Sequence, residues 1–265
     1  MSGIGVFRSK HRYDQHIACN EYYTTTDVIY PELPHYRQHY HGAHVHLPAD
    51  DPRQSFFWDY FSRKFSQYKL RRLTACHFDR DATTSQVTEL TSRGLATYRI
   101  PGNGGIGSYA ADEYWWLADI IITNPPYSNK GLWLDLLVAT GTDYILLVPP
   151  TLAAHSSSYE LFRRGAHGGV NHQNCPLANA TNTRKAAAFW LTSLEPDVPR
   201  KTYTETDEWQ VTDDGLPRSL TYDTIPRNAS RWHMPLTFFR LYDPSRYQYI
   251  GPSCPTLRGK SLFQQ

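Results

Sequence analysis

The run Ala118-Asp-Ile-Ile-Ile-Thr123 constrains this chain more than any other feature. β-Branched residues with no polar alternation suit a parallel strand covered on both faces. The run stops at Asn124-Pro125-Pro126-Tyr127, where two prolines withhold the N–H groups that a ladder needs. A second such run, Asp143–Val148, also stops at a proline pair, Pro149-Pro150, and Leu132–Ala139 between them has helical apolar spacing. Ser156–Arg164 reads as the next helix and Ala187–Thr192 as a further strand. This alternation specifies an α/β, doubly wound sheet. Upstream, a short strand at Ala43–Leu47 leads into the polar turn Pro48–Pro52. Gln54–Tyr68 then reads as an amphipathic helix, with Phe57, Phe61, Phe65 and Tyr68 on one side and Ser55 as its cap. Arg71–Phe78 is β-prone, Gln86–Thr91 and Leu95–Ile100 form a hairpin around Gly94, and the glycine-rich turn Pro101–Gly107 follows. Beyond Glu195 the chain is polar and loop-rich, so a single domain over 1–265 carries an insertion or substrate-facing region at 195–231.

Composition removes several classes. With 40% hydrophobic and 14% aromatic residues in 265, the chain is too apolar to stay disordered and long enough to bury a core. Its longest apolar stretches, such as Tyr144–Pro150, are too short to span a bilayer, and MSGIGVFRSKHRYD lacks an apolar signal core. A cytoplasmic protein without membrane contact is expected. A net charge of +2 excludes a polyanion-coating tail but not a local basic groove, for which Lys69-Leu-Arg71-Arg72, Arg163-Arg164, Arg184-Lys185, Arg200-Lys201, Arg227 and Arg231 are candidates. Cys19, Cys76, Cys175 and Cys254 contain no CxxC pair, which disfavours a disulfide framework or a zinc ribbon. His35, His39, His41, His44 and His46 invite a metal reading, but no Cys or suitably spaced carboxylate joins them, so no metal is expected.

The strand-end tetrapeptide suits one kind of chemistry. An amine conjugated to an aromatic ring or carbonyl is a poor nucleophile because its lone pair is delocalised. The Asn124 side-chain oxygen and the Pro125 carbonyl can each accept one of its hydrogens and turn the lone pair towards an incoming methyl group. Tyr127 can stack on a flat base taken out of its duplex, and Pro125 and Pro126 keep the acceptors stiff. A Pro-Pro turn can also simply end a strand. Here Asp119 and the apolar strand before it supply the context that the motif requires.

Several segments, in order, resemble the EcoRI-type adenine-specific DNA methyltransferases. Asn20-Glu-Tyr-Tyr-Thr24 with Thr26-Asp27 is similar to the family's N-terminal tyrosine-threonine segment. Ala49-Asp-Asp-Pro-Arg53 is similar to its first cofactor motif, Arg71–His77 to its second strand, and Gly102–Ser108 to its glycine turn. Asp119–Ser128 looks like the catalytic segment, and Met234–Phe239, Tyr242-Asp-Pro244 and Ile250-Gly251 look like the C-terminal signature. The resemblance implies a Rossmann-like methyltransferase sheet and S-adenosyl-L-methionine as cofactor. It further implies methyl transfer to the adenine amino group of double-stranded DNA with base flipping, and a cognate restriction endonuclease as a further partner in the cell. It makes Asn124, Pro125, Pro126 and Tyr127 catalytic, and Tyr23, Thr24, Asp50, Asp51, Pro52, His77, Asp79 and Asn124 cofactor-binding. Asp50 and Asp51 can instead cap the next helix, and Asp79 can equally be a turn aspartate. RNA or a protein glutamine as the methylated amine, and a non-catalytic nucleic-acid binder, are the competing readings.

Overall fold

The computed structural model describes residues 22–48, 50–79, 81–126, 130–172, 174–179, 185–252 and 260–264. The core elements, in chain order, are β1 (Tyr22–Tyr23), β2 (His44–Leu47), α1 (Phe56–Arg63), β3 (Arg72–His77), β4 (Thr84–Thr91), β5 (Gly94–Pro101) and α2 (Tyr109–Leu117). They continue with β6 (Ile120–Thr123), α3 (Lys130–Thr140), β7 (Asp143–Val148), α4 (Ser156–Arg163), β8 (His167–Gly168), β9 (Cys175–Asn179) and β10 (Lys185–Thr192). The main sheet runs β1-β9-β10-β7-β6-β2-β3-β4-β5, with β8 also pairing to β10. Its centre, β7-β6-β2-β3, is parallel, and the additions on both sides are antiparallel.

Alternation along the central strands makes the sheet doubly wound. Ile121, Leu146 and Val148 enter one core with Trp133, Leu134 and Leu137 of α3 and Leu161 and Phe162 of α4. Ile120, Ile122, Ile145 and Leu147 enter the other core with Phe57, Tyr60 and Phe61 of α1. All four residues of β6 are buried, which is why a run without polar alternation belongs there. Ser55 caps α1 by accepting from the Trp58 amide at 3.1 Å. The helix is shorter than its apolar spacing suggests: after Arg63 the chain continues in turns to Lys69 at φ 51, while Tyr68 still packs on the core. The hairpin β4–β5 forms as expected, with Gly94 at φ +115 in the turn.

The polar region beyond Glu195 is not bare loop. It holds β11 (Thr204–Thr206), β12 (Trp209–Val211), β13 (Pro217–Ser219), β14 (Thr224–Pro226), β15 (Arg231–Pro235), β16 (Gln248–Pro252) and β17 (Lys260–Gln264). These form a parallel β11–β14 pair and a small sheet ordered β12-β13-β15-β17-β16. Strands this short carry too little periodicity to be read locally. Trp232, Met234, Phe238, Phe239 and Tyr249 join the core under α3 and α4, so the elaboration shares one apolar interior with the main sheet.

Candidate active site

The chain leaves β2 for β3 in one direction along the sheet and leaves β6 for β7 in the other, so the strand order reverses between β2 and β6. In an open α/β sheet, the crevice beyond the carboxyl ends at such a reversal is where ligands bind. Asp50 follows β2 there and Asn124 follows β6, on neighbouring parallel strands. Sequence order alone separates them by more than seventy residues.

At the end of β6, Pro125 is buried and Asn124 and Pro126 are half-buried, and the Asn124 Oδ1 is shielded from solvent. Thr123 is fully buried, and its Oγ1 has no hydrogen-bond partner among the described residues. Tyr127 lies outside the described residues, and α3 begins at Lys130.

The acids beyond β2 divide their work. Asp50 accepts from the Ser55 hydroxyl, so it orients the cap of α1 without being the cap. Burial pushes its carboxyl up to about 6. Asp51 instead accepts from the Arg53 side chain, at 2.9 Å from Nε and 2.7 Å from Nη2, and that pairing holds its carboxyl below the usual range. His77, at the end of β3, brings Nδ1 to 3.8 Å from Asp51 Oδ2. Asp51, Arg53, Trp58, His77, Gln86 and Leu95 line a cleft of about 300 Å³, at the lower end of small-ligand sites. Pro52 lies on its wall as well. Asp79 caps its own turn through the Asp81 amide at 3.3 Å and donates its amide to the Asn103 carbonyl at 2.9 Å, which favours the turn reading. The glycine turn packs here too. Gly104, at φ +76, lies where a Cβ would run into the His77 carbonyl and Ser85, and Gly105 where one would come within 2.7 Å of the Phe78 ring.

Tyr23 and Thr24 enter from the edge strand β1, which four strands separate from β2. The chain then returns across the α1 face, where Tyr30 meets Tyr60 edge-on at 5.1 Å. Thr24 is buried, with its Oγ1 unpartnered among the described residues.

Other candidates are spent elsewhere. Asp119 sits at the amino end of β6, away from the crevice, and accepts from the His44 amide at 2.6 Å and from Arg71 at 2.9 Å. His44 and His46 both meet the Thr74 hydroxyl at 2.8 Å, and burial lowers them to about 4 and about 3 respectively. His35 pairs with Asp197, and His39 with the Glu195 carbonyl. Among the described residues no group of His, Cys, Asp or Glu is arranged to hold a metal. Among the described residues the basic doublets are largely neutralised: Arg72 by Glu89, Arg163 and Arg164 by Glu160, Arg200 by Glu195, and Arg227 by Asp207, while Arg184 lies outside the described residues.

Hydroxyls at Thr24 and Thr123 that are buried and without a partner among the described residues, an enclosed carboxyl at Asp50, and a cleft between α1 and the hairpin that mixes polar and apolar side chains fit a nucleoside that also carries an amino acid. Asn124, directly after Thr123, adds a stiff amide acceptor at a strand end. A family profile described as adenine-specific methyltransferase EcoRI matches residues 12–166. The chain is 21% identical over 277 residues to Type II methyltransferase M.EcoRI of Escherichia coli, covering 87% of this chain and 85% of that protein. It is 27% identical over 261 residues to Type II methyltransferase M.MpnI of Mycoplasma pneumoniae, covering 87% and 82%. Against Type II methyltransferase M.MgeORF184P of Mycoplasma genitalium the identity is 22% over 263 residues, covering 87% and 82%. No solved structure matches.

Proposed function

Because the chain belongs to the EcoRI family of adenine-specific methyltransferases, we propose that it methylates the exocyclic amino group of an adenine rotated out of double-stranded DNA. The observation that carries this reading is Asn124, held by a buried proline where the sheet reverses its strand order. S-adenosylmethionine, the family's methyl donor, supplies an electrophilic methyl group on a sulfonium.

The chain's own residues do the rest. The Asn124 Oδ1 and the Pro125 carbonyl accept the two amine hydrogens, which localises the nitrogen lone pair and stabilises the positive charge that develops on it. Tyr127 stacks on the extruded base, worth roughly 1–3 kcal/mol, against an extrusion cost of a few. Asp50, Asp51, Pro52 and His77 hold the cofactor's polar groups beyond β2 and β3. Tyr23 and Thr24 close over it from the N-terminal side, where the Thr24 hydroxyl supports the assignment. Asp79 helps by shaping the turn between β3 and β4. The strands of 195–231 belong to the same chain-long domain and read the target sequence. No helix of the described residues is long and apolar enough to cross a membrane. The same reading puts the enzyme in the cytoplasm, where it meets its DNA directly. A cognate restriction endonuclease is the expected counterpart in the cell.

A tritiated-methyl transfer assay on matched pools of duplex DNA, RNA and protein tests the proposal. Label should enter duplex DNA and co-migrate with N6-methyladenine after digestion. Label mainly in RNA or protein would overturn the substrate and leave the amine chemistry standing.

A further inference from the structure

Arg240 differs from the other arginines around it. Arg163, Arg164, Arg200 and Arg227 each lie against a carboxylate, whereas among the described residues Arg240 forms no ion pair. It is held by rings and backbone. Its guanidinium carbon stands 3.7 Å from the Tyr222 ring centroid and 4.4 Å from that of Phe189, and its Nε donates to the His172 carbonyl. Asp223, next to Tyr222, accepts from the Thr221 hydroxyl at 2.7 Å. Arg240 is half-buried, so its charge is partly removed from water, and the carboxylate that acts on it, Asp223, does so without forming an ion pair. A cation in that state is costly unless something anionic completes it. A guanidinium pinned between two rings is already ordered, so little rotamer freedom is lost when its remaining N–H groups meet a forked acceptor.

Its place in the fold suggests that acceptor. Phe189 pairs with Val148, the last residue of β7, so the clamp sits level with the carboxyl edge where Asn124 emerges from β6. β10 lies two strands from β6. At the usual strand spacing this is roughly 10 Å. A DNA strand advances about three nucleotides over that length at ~3.4 Å each.

We propose that Arg240 is a phosphate contact, gripping the DNA backbone within about three nucleotides of the target adenine and so setting the height at which the duplex meets the crevice. The inference rests on duplex DNA being the substrate. Phosphate contacts of this kind fix register and leave sequence choice to other residues.

The test measures duplex affinity against salt for the full chain and for Arg240→Gln and Arg240→Lys, with cofactor affinity and Tm recorded alongside. Each phosphate contact contributes about 0.9 to the slope of log K against log salt. Arg240→Gln should flatten the slope by about one and weaken duplex binding at low salt, with cofactor affinity unchanged. Arg240→Lys should keep the slope, since the charge remains, but bind several-fold more weakly because the fork is lost. A slope in Arg240→Gln equal to that of the unaltered protein would overturn the proposal. So would a loss confined to cofactor affinity. If Arg240→Gln does not fold, Arg240→Lys carries the test, and duplex binding as tight as the unaltered protein's would refute the fork. Absence of duplex binding by the unaltered protein would instead strike the DNA reading itself.

Discussion

Replacing Asp50 by Asn should make the protein more stable and less able to hold its cofactor, and pH separates the two effects. Burial raises the Asp50 carboxyl from an ordinary 3.8 to about 6, against a single donor among the described residues, the Ser55 hydroxyl. Two pK units amount to about 3 kcal/mol of preference for the neutral form. The sign follows from the direction of the shift. Below pH 3.8 the group is protonated in both folded and unfolded chains, so ionisation costs the fold nothing. The cost grows as pH rises between the two values and is fully present above 6. Asn keeps an oxygen that accepts from Ser55 and removes the charge, so Asp50→Asn should gain up to ~3 kcal/mol at pH 8 but only about 0.5 kcal/mol at pH 4. Urea midpoints at pH 4, 6 and 8 check this at constant m. The same variant should bind S-adenosylmethionine at least about tenfold more weakly by calorimetry at pH 8, a loss of ~1.4 kcal/mol, because the buried charge is retained to meet a polar ligand. Equal stability changes at all three pH values would show that Asp50 only orients the cap of α1, and unchanged cofactor affinity would remove it from the binding site.

Asn124→Ala should lower kcat by about 10²-fold or more in the methyl-transfer assay while sparing cofactor affinity, since the lost acceptor matters most as charge develops on the amine. Tyr127→Phe should stay active and Tyr127→Ala should bind flipped-base duplex more weakly. A Phe variant as inactive as Asn124→Ala would exclude stacking as its role. Asp119→Ala should cost about 1–3 kcal/mol in denaturation while leaving kcat alone, because the carboxylate joins the His44 amide and Arg71 at the opposite edge of the sheet. Burial pushes that carboxyl up, but the amide and Arg71 hold it lower, so its contribution should be lost as pH falls through its depressed value. Gly104→Ala should destabilise by about 2–4 kcal/mol in the same measurement, since φ +76 and the His77 carbonyl leave no room for a Cβ.

What the sequence determined by itself was local and repetitive. Ile120–Thr123 has no polar alternation, and a strand with no solvent face is the only element that uses all four residues. The prolines after Thr123 end that strand wherever it lies, so Asn124 at a strand terminus follows from covalent geometry. Gly94 centred the hairpin and Ser55 capped α1 for reasons equally confined to a few neighbouring residues. What depends on distant partners was decided by the tertiary structure alone. Asp119 reads as part of the catalytic segment, yet strand direction puts it at the far edge, bonded to His44. Asp50 and Asp51 are indistinguishable in sequence, and only the packing of α1 encloses one while Arg53 neutralises the other. The basic doublets suggested a groove until folding laid carboxylates against most of them. Arg240 carried no signal at all, because its clamp joins Phe189, Tyr222 and the His172 carbonyl from three separate stretches of chain. Hydropathy and turn chemistry act over a few residues, whereas charge compensation and desolvation depend on whatever the fold brings within a few ångströms.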